Sequence, residues 1–236
     1  MTPDDTYDSG CSSAVVLQRA GRWDLALDAL PDVDDAAVRR LRAEILADRC
    51  WWQVTGEDEA EAAADVVAAD SEVMAGFIRA QLSYARLLFD RDVRPDDLAR
   101  VEQGFAAPEL AGWGAFWLGV TAENIHSDPA AAAVFYARAA QHTNGDLLLE
   151  SYVVRHQGGQ LVDSDPAAGI ALLRRSLALR AAVGARPAFA GAAATMAQVL
   201  PDGDLEAVLW RRVAVDAARE LRLVGLLGQL STEAVA

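Results

Sequence analysis

Between residues 72 and 90, Met74, Ile78, Leu82, Ala85 and Phe89 recur at three- and four-residue intervals. Arg79, Ser83, Arg86 and Asp90 keep the same spacing beside them. Such intervals mark the two sides of an amphipathic α-helix, one packed and one wet. Comparable apolar-periodic stretches fill residues 12–20, 34–54, 109–126, 146–162 and 187–199. After each comes a second stretch, beginning near Arg22, Glu57, Pro95, Pro129, Pro166 and Gly203, at intervals of 35, 38, 34, 37 and 37. No segment alternates apolar and polar residues with the two-residue period of a strand. The pattern predicts an all-α chain of paired helices.

The start signals agree with that pairing. Pro95, Pro129 and Pro166 stand where a helix begins, because the first turn needs no backbone donor. Asp128 and Asp165 precede two of these prolines as N-caps, and Thr55 with Asp58 resembles a capping box. Pro108 and Pro187 punctuate the starts of two first helices. The chain also repeats itself. Asp128-Pro129-Ala130-Ala131 returns as Asp165-Pro166-Ala167-Ala168, and Leu172-Leu173-Arg174-Arg175 is echoed by Leu209-Trp210-Arg211-Arg212, each 37 residues on. A fixed period in the thirties with one start signal per period is the mark of a helical-hairpin solenoid.

Three fragments carry a family resemblance. Gly21-Arg22-Trp23-Asp24-Leu25-Ala26 matches the commonest turn of the tetratricopeptide repeat. Asp128-Pro129 with Ala132, Tyr136 and Ala139 matches its second helix. Leu118-Gly119 resembles its first-helix pair, with the distance to Ala132 one residue too long. The equivalent positions in the next two periods depart from the motif, as Gly169, Leu173 and Ser176 and then Glu206, Trp210 and Val213. The chain therefore resembles a degenerate tetratricopeptide-repeat (TPR-like) protein, similar to divergent segments found in high-GC bacteria. That resemblance implies a right-handed α-solenoid of about six antiparallel helix hairpins over residues 12–224, between a flexible segment at 1–11 and a tail at 225–236. It also implies a non-enzymatic module whose first helices line a concave groove for a peptide or partner helix. Carried over by position, the groove residues are Arg79, Ser83, Arg86 and Asp90, then Glu123 and Asn124, then Arg155, His156, Gln157 and Gln160. Trp113, near a helix start, joins them as an aromatic contact. The alternative use of the same groove is as a sensor for a small molecule or signalling peptide, in a closed pocket near Trp113 and Tyr152.

Charge and composition narrow the partners. The formal charge is −14, and every one of the 21 Lys/Arg positions is arginine. Residues 1–72 hold 17 acids and 6 arginines, a balance of −11, against 18 and 15 over residues 73–236, a balance of −3. Such a field repels phosphate, so nucleic acid is not an expected partner. No apolar run is long enough for a membrane span. The acidic start is the reverse of a signal peptide, and Cys11 and Cys50 lack metal-site spacing, so the expected setting is cytoplasmic. A protein or peptide partner, with no membrane and no cofactor, follows.

Chemistry finds little purchase. Without lysine there is neither a Schiff base nor the usual phosphate-loop cation. Glu123 and His126 have the Glu-x-x-His spacing of a di-iron helix, but only one such motif occurs where two are needed. Asp32, Asp34 and Asp35 read as capping and solvation ahead of a helix. Trp51 and Trp52 are neighbours on one helix, so their rings point about 100° apart and serve different surroundings. The last helix runs into Val224-Gly225-Leu226-Leu227, an apolar end that either folds back or pairs with a second copy.

Overall fold

The computed structural model describes residues 10–201 and 203–232. Among them the regular structure is helical throughout: α1 (Ser12–Arg19), α2 (Trp23–Asp28), α3 (Ala36–Gln53), α4 (Glu57–Ala68), α5 (Glu72–Phe89), α6 (Asp97–Phe105), α7 (Ala111–Asn124), α8 (Pro129–Gln141), α9 (Leu147–Leu161), α10 (Pro166–Ala182), α11 (Arg186–Val199), α12 (Leu205–Leu221) and α13 (Val224–Thr232). A 3-10 turn, Pro108–Leu110, leads into α7. None of these helices is long and apolar enough to cross a membrane.

Local chemistry sets the boundaries. The Asp128 and Asp165 carboxylates accept from the backbone N–H groups of Ala131 and Ala168, and each is followed by proline at the first helical position. Asp204 and Ser71 cap α12 and α5 in the same manner. Asp35 accepts from the Ala37 N–H ahead of α3. The start of α4 corrects the capping-box expectation. Its N-cap is Gly56 in the left-handed region (φ 75°), and no side chain caps it. The three acids of its first turn, Glu57, Asp58 and Glu59, complement the exposed N–H groups through the helix dipole instead.

Two compact units emerge. The first comprises Trp23–Trp51 and Thr55–Asp146, with the described residues up to Gln18. The second comprises Arg19–Arg22, Trp52–Val54 and the chain from Leu147 onward. In the first, Leu46 and Cys50 of α3, Ala60, Ala64 and Val67 of α4, and Ala75, Ile78 and Leu82 of α5 form one buried cluster. Burial, with the nearby Glu57 charge, pushes the Cys50 thiol up to about 11, which leaves it unreactive at neutral pH. Beside this cluster the rings of Trp51, Tyr84 and Trp117 pack in stacked and edge-on pairs with centroids 5.4–6.0 Å apart. Phe105 stacks on Trp117 at 5.2 Å. Helix α7 approaches α8 at Gly119, where a Cβ would stand 2.5 Å from the Tyr136 ring.

In the second unit α9 meets α10 through Gly158 and Gly169, each of which faces the other's carbonyl oxygen at 2.9 Å from where its Cβ would be. Pro187 and Leu221 close on Gly21, whose positive φ of 72° suits glycine. Arg22 and Arg186 both pair with Glu220, and the Gln53 amide donates to the Leu221 carbonyl at 3.1 Å. Of the segment set apart as a C-terminal tail, residues 225–232 belong to α13, and Leu226 and Leu230 are buried. Residues 1–9 of the segment expected to be flexible, and 233–236 of the tail, lie outside the described residues; Cys11 is buried.

Candidate functional site

The first unit carries a cleft of about 730 Å³ between α4, α5 and α6. Helix α4 presents Glu61 and Asp65 to it, and α5 presents Glu72, Gly76 and Arg79. Arg94 enters from the α5–α6 connection, and Arg100, Gln103 and Gly104 from α6. Two glycines shape the cleft. At Gly104 a Cβ would stand 2.6 Å from both the Ala80 Cβ and the Gly76 carbonyl oxygen, so the two helix backbones run close together there. At Gly76 a Cβ would meet nothing within 4 Å, because that side of α5 faces the open cleft.

The charged groups of the lining are arranged in pairs. The Arg79 guanidinium holds Asp65 at 2.8 Å and Glu72 at 3.0 Å, and these acids raise its pKa above the ordinary value. Arg94 holds Glu61 at 2.5 Å and Glu57 at 3.2 Å. Arg100 holds Asp96 at 2.6 Å. Half-exposed pairs of this type are weakly bound and easily exchanged for pairs with a ligand.

Behind them lies a network of a different kind. The Arg86 side chain, 2 % exposed, donates through Nε and Nη2 to Asp97, which is wholly buried, and through Nη1 to Glu57 and Glu61. Ser83 accepts a further Nη2 bond at 2.8 Å. Burial alone would lower the Arg86 pKa, but the carboxylates outweigh it and hold the guanidinium above its ordinary value. Burial would likewise raise Asp97, yet Arg86, the Arg94 backbone N–H and Ser83 hold its carboxyl below the usual range.

These positions revise the stripe expected to be solvated. Ser83 and Arg86 are buried and tie α5 to α4 and to the start of α6. Asp90 is exposed in the left-handed cap that ends α5 (φ 49°). Of the four, Arg79 alone lines the cleft. Elsewhere in the first unit, Trp113 is half-buried, and its indole N–H donates to Asp146 at 2.9 Å. Glu123 accepts from the Tyr136 hydroxyl at 2.7 Å, and Asn124 donates to the Tyr84 hydroxyl at 2.8 Å. His126 lies 3.4 Å from Glu102, so Glu123 and His126 turn to different partners. No three metal-binding side chains gather among the described residues.

Arg155, His156, Gln157 and Gln160 belong to the second unit, on α9, and all four are half-buried. Arg155 donates to Thr195 Oγ1 of α11 at 3.1 Å and lies 3.3 Å from the His156 ring nitrogen. Sequence reasoning missed Glu61, Arg94, Gly76 and Gly104 as cleft residues. Their one sequence signal was the concentration of acids in residues 57–72 facing arginines in 79–100. Against family models, curated proteins and solved structures alike, the chain finds no match.

Proposed function

We propose that this chain is a non-enzymatic, TPR-like helical-repeat module that holds a peptide segment of a protein partner in the α4–α5–α6 cleft. The observation that carries this reading is the cleft's composition: a glycine floor at Gly76, small enough to admit a main chain, between walls that offer both carboxylates and guanidiniums. A peptide presents donors, acceptors and charges of both signs, and Arg79 and Arg100 can trade their exposed carboxylate partners for those of a ligand. The hairpin periodicity and the α7–α8 contact at Gly119 and Tyr136 favour the solenoid architecture that serves such modules. The acidic composition and two cysteines outside any disulfide favour work in the cytoplasm.

Selection of a random peptide library against the purified protein tests the reading. Peptides enriched on the wild type should lose at least tenfold in affinity against Gly76→Trp, which fills the cleft from a position with open space in front of it. They should lose several-fold against Arg79→Ala, which retains the floor. Enriched peptides that bind Gly76→Trp as well as wild type would place binding elsewhere.

A further inference from the structure

Arg180 of α10 is 3 % exposed, as deeply buried as Arg86, yet among the described residues no carboxylate lies within ion-pair distance of it. Its Nη1 donates to the Ala188 carbonyl in the first turn of α11 at 2.5 Å, and its Nε approaches Ser151 Oγ of α9 at 3.4 Å. The guanidinium carbon stands 4.6 Å from the centroid of the Tyr152 ring. Of the five N–H donors of an arginine, two are thus engaged by protein acceptors. Moving a cation out of water is strongly unfavourable unless an anion replaces the lost hydration. A carbonyl, a hydroxyl and an aromatic face replace only part of it.

The surroundings relieve this only in part: Arg180 stands in the last turn of α10, where the negative end of that helix's dipole favours a cation, but no anion is added. Burial pulls the Arg180 pKa down to about 10, the Arg155 charge acts in the same sense, and Tyr152 opposes them. The group therefore remains charged at neutral pH. The α11 N-terminus at Ala188 contributes the positive end of its dipole. Arg155 and Thr195, joined at 3.1 Å and half-buried, stand on the same helices nearer the surface. We propose that α9, α10 and α11 form a recognition site for an oxyanion, a carboxylate or phosphate group, with Arg180 as its buried counter-charge and Arg155 and Thr195 at its approach. Arginine suits both groups, because its planar fork matches two oxygens at once.

Thermal unfolding of the intact protein, titrated with inorganic phosphate and separately with acetate at constant ionic strength, tests the site. Low-millimolar concentrations keep general surface-exclusion effects out of the reading. A saturating oxyanion should raise the wild-type midpoint by roughly 5 °C, with no rise from the same low-millimolar chloride at that constant ionic strength. A response to phosphate alone assigns a phosphate ester, and one to acetate assigns a carboxylate. Arg180→Met should abolish the rise, while Arg174→Met, which removes a guanidinium whose side chain is 53 % exposed in the same unit, should retain it. Should Arg180→Met fail to fold, Arg180→Gln, which keeps a donor for the Ala188 carbonyl, gives the same reading. Gly76→Trp should respond as wild type does, which separates this site from the peptide cleft. An unresponsive wild type, or an equal rise in the Arg180 variants, would overturn the proposal.

Discussion

Gly158 and Gly159 are adjacent on α9 and stand in opposite situations. A Cβ at Gly158 would press to 2.9 Å on the Gly169 carbonyl oxygen and to 3.1 Å on Leu172 and Leu173, whereas one at Gly159 would meet nothing within 4 Å. Overpacking against backbone forces the helices apart, so Gly158→Ala should lose about 1–3 kcal/mol in urea unfolding. Gly159→Ala should gain about 0.5–1 kcal/mol by relieving the conformational entropy cost of a helical glycine. Equal effects of the two substitutions would show that α9 and α10 do not approach through Gly158. At this scale the sequence was only partly legible. A Gly-Gly pair inside a helical stretch fits a kink as well as close helix contact, and nothing in it tells which glycine makes the contact. Arg86 misled for a related reason. A helix wheel assigns an arginine to the wet face by its own charge, and the acids that make its burial tolerable lie 11, 25 and 29 residues away on other helices.

At the scale of elements, helix starts were legible because their causes are local. The second helices expected near 22, 57, 95, 129, 166 and 203 begin at Trp23, Glu57, Asp97, Pro129, Pro166 and Leu205. Asp caps, prolines and glycine breaks act within three residues. The α5–α6 connection was the least legible stretch, because Asp97 reads as a first-turn acid yet is wholly buried as the partner of Arg86. This pairing gives the connection a pH dependence. The folded Asp97 carboxyl titrates below its unfolded value, so its stabilisation is complete above the unfolded pKa of about 4 and disappears as pH falls through the lower folded value. Asp97→Asn should cost about 3 kcal/mol at pH 7, the low end for a broken buried pair, because Glu57 and Glu61 still face the guanidinium. Its urea midpoint should also fall less steeply than that of wild type between pH 5 and about pH 3. Parallel acid limbs in the two proteins would remove Asp97 from the account.

Over the whole chain, two electrostatic effects oppose each other, and salt separates them. The formal charge of −14 makes the folded chain repel itself, most of all in residues 1–72 with their balance of −11. The exposed ion pairs, such as Arg100 with Asp96, Arg174 with Glu206 and Arg186 with Glu220, hold it together. Pairs of this kind contribute about 0–1 kcal/mol each and act over a few ångströms, while the repulsion among surplus acids extends over the roughly 30 Å screening length of 10 mM salt. Acids outnumber arginines 35 to 21, so the long-range repulsion should prevail. Raising sodium chloride from 10 to 150 mM, where the screening length shrinks to about 8 Å, should therefore raise the unfolding temperature by roughly 2–4 °C. A fall would mean that the surface pairs carry more of the stability than their exposure allows. The Arg86–Asp97 pair lies too deep for the ionic atmosphere to reach, so Asp97→Asn should unfold at a lower temperature than wild type and still rise with salt along the same slope.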